Sequence, residues 1–164
     1  MPEDFDNLDV LFHPNSVAIV GASSSPTLLG YNFIRYFIDY NFKGRIYPVN
    51  PRLNEVHGLR AYPNLKDIPE SRVDYVICCI PAGEVLTLLE DCKAKNVNLV
   101  HLFTGRMSET GRDKETRLEH EILEKAKGYG VRILGPNCMG IYYPKVGLSF
   151  NYDLPKKSGF VGGF

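Results

Sequence analysis

Much about this 164-residue chain is set by what it lacks. It has no excess charge of either sign, with 19 Lys+Arg against 19 Asp+Glu. Partners such as DNA, RNA or an anionic membrane select a basic excess, so a neutral balance gives them no electrostatic footprint. No apolar run approaches the ~20 residues that cross a bilayer. The start, Met1-Pro2-Glu3-Asp4-Phe5-Asp6, is acidic and lacks the basic-then-apolar order of a secretory signal. Four cysteines are too few for a disulfide scaffold. None forms a C-x-x-C, and His13, His57, His101 and His120 show no ligand spacing, so metal and redox chemistry are not expected. No G-x-S-x-G elbow, no G-x-x-x-x-G-K-[ST] loop and no nucleophile–base pair is present, so no catalytic residue is nominated. The remaining expectation is a single cytoplasmic globular domain, large enough to bury a core, that acts through a binding site.

What is present alternates between short apolar runs and helical stretches. Ser16–Val20 is a β-branched strand ended by Gly21, and Leu28–Phe42 carries Ile34, Phe37 and Ile38 at helical spacing before Lys43-Gly44 closes it. Arg45–Asn50 is a second strand, in which Pro48 implies an edge position or an irregular ladder. Pro51–Pro69 reads as loop. Asp74–Ile80 is a third strand, followed by Val85, Leu88, Leu89 and Cys92 on one face of a helix. Val97–Phe103 is a strand, Leu118, Ile122, Ala126 and Tyr129 mark a helix from about Asp113, and Val131–Leu134 is the last core strand. The tail from Gly140 alternates apolar and polar residues in the manner of a hairpin. Cys78, Cys79 and Cys92 read as buried small hydrophobes, and His120 as solvated. Alternating strands and helices, with strands apolar throughout, imply an α/β, doubly wound, mainly parallel sheet with helices on both faces. Ligands of such sheets lie outside the carboxyl ends of the strands.

That rule singles out the loops after each strand. Gly21, Ala22, Ser23 and Ser24 follow the first strand, where backbone N–H groups, serine hydroxyls and the helix that follows suit a phosphate. The next glycine is Gly30, so the loop departs from G-x-G-x-x-G, and on its own it is equally a plain turn. After the second strand come Asn50, Pro51 and Arg52, with no carboxylate until Glu55. A dinucleotide site places Asp or Glu there for the ribose hydroxyl, whereas an arginine fork suits a phosphate. Ile80 and Pro81 either start a helix or form an apolar shelf. Asn137 and Cys138 lie between Gly135 and Gly140 at the same edge. The residues alone describe a binding domain for a phosphorylated ligand; an NAD(P)-binding redox-sensing or dehydrogenase module and a regulatory domain without ligand are the alternatives.

With these loops in order, the chain resembles the N-terminal CoA-binding domain of the ADP-forming acyl-CoA synthetases and the succinyl-CoA synthetase alpha subunit, a Rossmann-like domain. The resemblance runs from about Leu8 and is carried by Leu11–Ser23, Gly30-Tyr31, Phe42–Pro51, Gly58–Pro63, Asp67–Pro69, Ile80–Ala82, Ser108–Gly111 and Gly135–Gly140. It implies coenzyme A or acyl-CoA as ligand, with Gly21, Ala22 and Ser23 near phosphate and ribose. It puts Asn50, Pro51 and Arg52 at the nucleotide end, Ile80 and Pro81 along the adenine or pantetheine path, and Asn137 with Cys138 at the thiol. Thr104–Met107 departs from the relatives' small-Gly-Phe. The resemblance also implies a phospho-histidine domain and an ATP-grasp region as partners in acyl-CoA + ADP + phosphate to acid + CoA + ATP. This chain, lacking both, is not expected to run that reaction alone. Residues 1–155 are then the CoA-binding domain, and 156–164 resemble the start of the one that follows.

Overall fold

The computed structural model describes residues 12–156. Five parallel strands form the central sheet: β1 (Ser16–Val20), β2 (Arg45–Val49), β5 (Tyr75–Cys78), β6 (Leu99–Leu102) and β7 (Arg132–Leu134), in the order β2-β1-β5-β6-β7. Between β2 and β5 the chain makes a two-stranded antiparallel excursion, β3 (Glu55–Val56) and β4 (Leu59–Arg60). The helices are α1 (Leu29–Asp39), α2 (Val85–Ala94) and α3 (Asp113–Gly128). This is the doubly wound Rossmann-like arrangement expected, because strands apolar on both faces must be covered on both. The segment 156–164, expected to begin a following domain, lies outside the described residues from 157 onward.

Each face of the sheet has its own core. Val20, Val76, Cys78 and Val100 project toward α2 and α3, meeting Leu88, Leu89 and Ile122. Val17, Ile19, Tyr75 and Ile77 project toward α1, meeting Phe33, Ile34 and Phe37. The expected stripe of α2 is entirely buried, and Ile122 and Ala126 are the buried residues of α3. His120 is exposed.

Several local expectations need correction. α1 stops at Asp39, because Asn41 takes a left-handed conformation (φ 57°) and the Phe42 N–H folds back to the Phe37 carbonyl at 2.9 Å. That is a C-terminal cap closed by asparagine before Lys43-Gly44 is reached. Ile38 lies 43% exposed, off the buried stripe. Cys79 is only half-buried, just past the end of β5. The hairpin of the tail reduces to one antiparallel bridge, Tyr143 with Leu148, around a 3-10 turn at Pro144–Val146. The tail nonetheless packs: Leu148 is buried, and Ile141 and Phe150 are half-buried, against the α1 face.

Pro48 is indeed on an edge strand. Its carbonyl faces outward, where it accepts the Tyr62 N–H at 2.9 Å, while the Asn50 N–H donates back to the Tyr62 carbonyl at 2.9 Å. A strand residue's N and C=O point the same way, so the missing proline donor also faces outward, and no ladder bond to β1 is lost.

Candidate functional site

Strand order reverses between β1 and β5, since β1 leads outward to β2 and β5 leads the other way to β6 and β7. Their carboxyl ends therefore diverge and open a crevice. Two cavities lie there, of about 490 and 470 Å³, and both are lined by Gly21, Cys79, Ile80 and Pro81. They are two halves of one trough across the switch point.

Glycine is required at its centre. Gly21 has φ +89°, and a Cβ there would lie 2.8 Å from the Cys79 carbonyl oxygen. Gly30, in the first turn of α1, would place a Cβ 1.9 Å from the Gly21 carbonyl oxygen. The absence of both side chains lets α1 sit directly on the turn after β1. Gly30 thus takes the close-packing role of a late fingerprint glycine, although its spacing differs from G-x-G-x-x-G.

The first cavity is bounded by Asn50, Pro51 and Arg52 on one side and by α2 on the other. Arg52 is exposed, and its guanidinium makes no ion pair among the described residues. Asn50 is committed elsewhere: its Nδ2 donates to the Ala22 carbonyl at 2.7 Å, and its Oδ1 accepts the Arg52 N–H at 2.8 Å. It therefore staples the two loops to each other. The N–H groups of Gly21 and Ala22 are also used, both donating to the Val49 carbonyl at 3.0 and 3.1 Å. The expectation of free N–H groups there is thus wrong for these two residues, because β2 ends close enough to claim them. Ala22 is buried; Ser23 and Ser24 lie beyond the cavities' linings, Ser24 exposed and Ser23 with its Oγ accepting the Ser25 N–H at 3.0 Å.

The turn before α2 contributes Glu84 to the same cavity, and α2 itself contributes Thr87 and Asp91. Asp91, nearly buried, pairs with Lys66 at 3.1 Å. The sequence reading missed this stripe, although Glu84, Thr87, Leu88 and Asp91 are spaced to share one helix face.

The second cavity runs from Ile80 and Pro81 past the uncapped start of α1 at Leu28 and Leu29 to Thr104, Gly105 and Arg106. Thr104 Oγ1 donates to the Ile80 carbonyl at 2.7 Å and ties the end of β6 to that of β5. Glu109 accepts the N–H groups of Arg106 (2.6 Å) and Met107 (2.9 Å). Desolvation works to raise its carboxyl pKa, but these backbone donors leave it below the usual range. The departure at Thr104–Met107 thus has a clear division: Met107 is fully buried, and Arg106 is an exposed cation at the cavity's far end. Asn137 and Cys138 line neither cavity; Asn137 borders this end, since a Cβ on Gly105 would lie 3.6 Å from its Oδ1, and Cys138 follows it in the chain. Cys138 is half-buried. Burial pushes the Cys79 and Cys92 thiols well up, so neither is a ready nucleophile. Among the described residues no cluster of three metal-ligating side chains occurs, and no helix is long and apolar enough to cross a membrane.

Comparison with known proteins meets this geometry. The family described as "CoA binding domain" matches residues 15–144. The acetate–CoA ligase [ADP-forming] II subunit alpha of Pyrococcus furiosus is 39% identical over 154 residues, 94% of this chain and 33% of that protein. The acetate–CoA ligase [ADP-forming] of Methanocaldococcus jannaschii is 36% identical over 93% of this chain and 21% of its own length. Among solved structures, the dinucleotide-forming acetyl-coenzyme A synthetase 1 of Ca. Korarchaeum cryptofilum, in complex with phosphate and ADP, superposes with a TM-score of 0.84 at 35% identity. That match covers 94% of this chain and 32% of the synthetase chain. The chain therefore spans about a third or less of the relatives named here.

Proposed function

The chain belongs to the family of CoA-binding domains, and from that premise we propose that it holds coenzyme A in the trough across the β1/β5 switch point. The observation that carries this reading is the sharing of one set of lining residues by two cavities. Such a trough suits a ligand with a bulky nucleotide at one end and a narrow arm at the other. The 3′-phosphate lies against Arg52 and the adenosine in the first cavity, to which the α2 side contributes Glu84 and Asp91. Ser23 and Ser24 supply donors toward the pyrophosphate in place of the N–H groups that Val49 occupies. The pantetheine arm passes Ile80 and Pro81 into the second cavity, and its thiol arrives beside Asn137 and Cys138. The turn after β2, Asn50-Pro51-Arg52, offers no carboxylate for a ribose hydroxyl, which disfavours the NAD alternative.

The domain's contribution is binding and presentation: it fixes both ends of the ligand, and among the described residues no side chain is given a catalytic role. It works as the N-terminal part of an ADP-forming acyl-CoA synthetase, with a phospho-histidine domain and an ATP-grasp region supplying the chemistry of acyl-CoA + ADP + phosphate to acid + CoA + ATP. The cytoplasm is the compartment this reading expects.

Calorimetric titration of the chain with CoA, dephospho-CoA and NAD tests it. CoA should bind, dephospho-CoA about tenfold more weakly for loss of a charge-assisted contact, and NAD not measurably. Arg52→Ala should erase the difference between CoA and dephospho-CoA. Tight NAD binding without a response to CoA overturns the reading.

A further inference from the structure

His101 lies in the middle of β6 with no exposed surface. A buried imidazole is costly unless both ring nitrogens are hydrogen-bonded, and an aliphatic residue would fill the same space without that cost. Both nitrogens are bonded here. Nε2 lies 2.6 Å from the Cys138 carbonyl oxygen, and Nδ1 lies 3.2 Å from the Tyr75 hydroxyl. A carbonyl can only accept, so Nε2 carries the proton, and Nδ1 must accept from Tyr75. Burial lowers the proton affinity of the ring and raises that of the Tyr75 phenolate, which keeps both groups neutral. Phe33 meets the ring edge-on at 5.9 Å, and Tyr75 stacks on it at 6.2 Å. Gly140 closes over it, where a Cβ would lie 3.1 Å from His101 Cε1.

The peptide held by this chain of donors belongs to the loop beside the second cavity. The Cys138 N–H donates to the Leu102 carbonyl at 3.3 Å, and the Asn137 N–H to the Thr104 carbonyl at 3.1 Å. Asn137 itself is left-handed, with φ 51°. With the Cys138 carbonyl fixed by His101, the backbone at 137–138 is constrained on both sides, and the exits of the Asn137 amide and the Cys138 thiol are set. Enclosed as it is, His101 cannot touch a ligand, so any influence on binding passes through this loop.

We propose that His101, held by Tyr75, is a positioning residue that fixes the Gly135–Gly140 loop at the thiol end of the trough and so governs affinity for the pantetheine arm of CoA. This rests on the CoA reading above. The prediction is specific to one end of the ligand. Adenosine 3′,5′-bisphosphate, which lacks the arm, serves as the probe of the other end.

In titrations of the intact chain, His101→Leu should weaken CoA about tenfold, the scale of a lost buried hydrogen bond to a site group, and leave the bisphosphate within about twofold. His101→Gln, which keeps an N–H donor for Cys138, should restore most of the CoA affinity. Tyr75→Phe leaves the Nε2 bond intact and should cost CoA about threefold, again without effect on the bisphosphate; it carries the test if His101→Leu does not fold. Equal weakening of both ligands would reduce His101 to a general stabiliser and overturn the proposal, as would unchanged CoA binding. Failure of the unaltered chain to bind either ligand would instead overturn the functional reading, and this inference with it.

Discussion

The two faces of the sheet are covered differently. Toward α2 and α3 the core is mostly aliphatic, and two regular helices cover most of it, with Leu65, Ile68 and Met107 joining from irregular segments. Toward α1 it is aromatic and polar, because one helix covers only part of it and the irregular tail covers the rest. Helices satisfy their own interior carbonyls, whereas an irregular segment brings carbonyls that need outside donors. Side chains of the second face and of the tail supply them: His101 serves Cys138, Tyr40 Oη donates to the Leu154 carbonyl at 2.5 Å, and Tyr142 Oη to that of Pro155 at 2.5 Å. The aliphatic face walls the first cavity through α2, and the aromatic face doubles as an anchoring surface for the tail and for the loop at Cys138.

Substitutions on each face can break or sharpen this contrast. The largest effect is expected from Gly30→Ala, whose methyl would lie 1.9 Å from the Gly21 carbonyl oxygen and force α1 off the turn. It should cost about 3 kcal/mol or more in a denaturant melt and abolish CoA binding, because the trough loses a wall. Leu89→Ala, on the opposite face and fully buried, should cost about 3 kcal/mol through the cavity it leaves. CoA affinity of the folded protein should be unchanged; a parallel loss of affinity would show that the faces are not independent. Tyr40→Phe removes one anchoring hydroxyl and should cost about 1 kcal/mol, read as a small fall in melting temperature. The smallest effect concerns pH. Burial lowers the His101 pKa, while in the unfolded chain it titrates near ~6.5. Below that value the unfolded chain holds more protons, so stability present above ~6.5 is lost as pH falls toward and through the folded pKa. Urea midpoints measured between pH 7 and 5 should fall more steeply for the unaltered chain than for His101→Gln.

Much of this is legible in the residues, for definite reasons. Strands buried on both faces are contiguous apolar runs, so β1, β2, β5 and β6 can be placed, and with them the crevice at their ends. Gly21, Asn50, Pro51, Arg52, Ile80 and Pro81 do meet there. What escapes is decided by contacts between distant segments. Nothing local to Gly21-Ala22 reveals that Val49 will claim their N–H groups, or that Asn50 will staple one loop to another. Nothing local to Asp91 reveals that Lys66, from the segment read as loop, folds against it. His101 matches no motif because its partners come from β5 and from the loop after β7.

Pro48 and Tyr62 bear on solution behaviour. The outermost strand of an open sheet is a template on which another molecule's backbone can add, the first step toward aggregates and fibres. Here that strand has no donor at Pro48, and its neighbouring groups are already bonded to Tyr62. At the opposite margin β7 is only three residues long. A sheet blunted at both margins can be kept concentrated without polymerising through its edges.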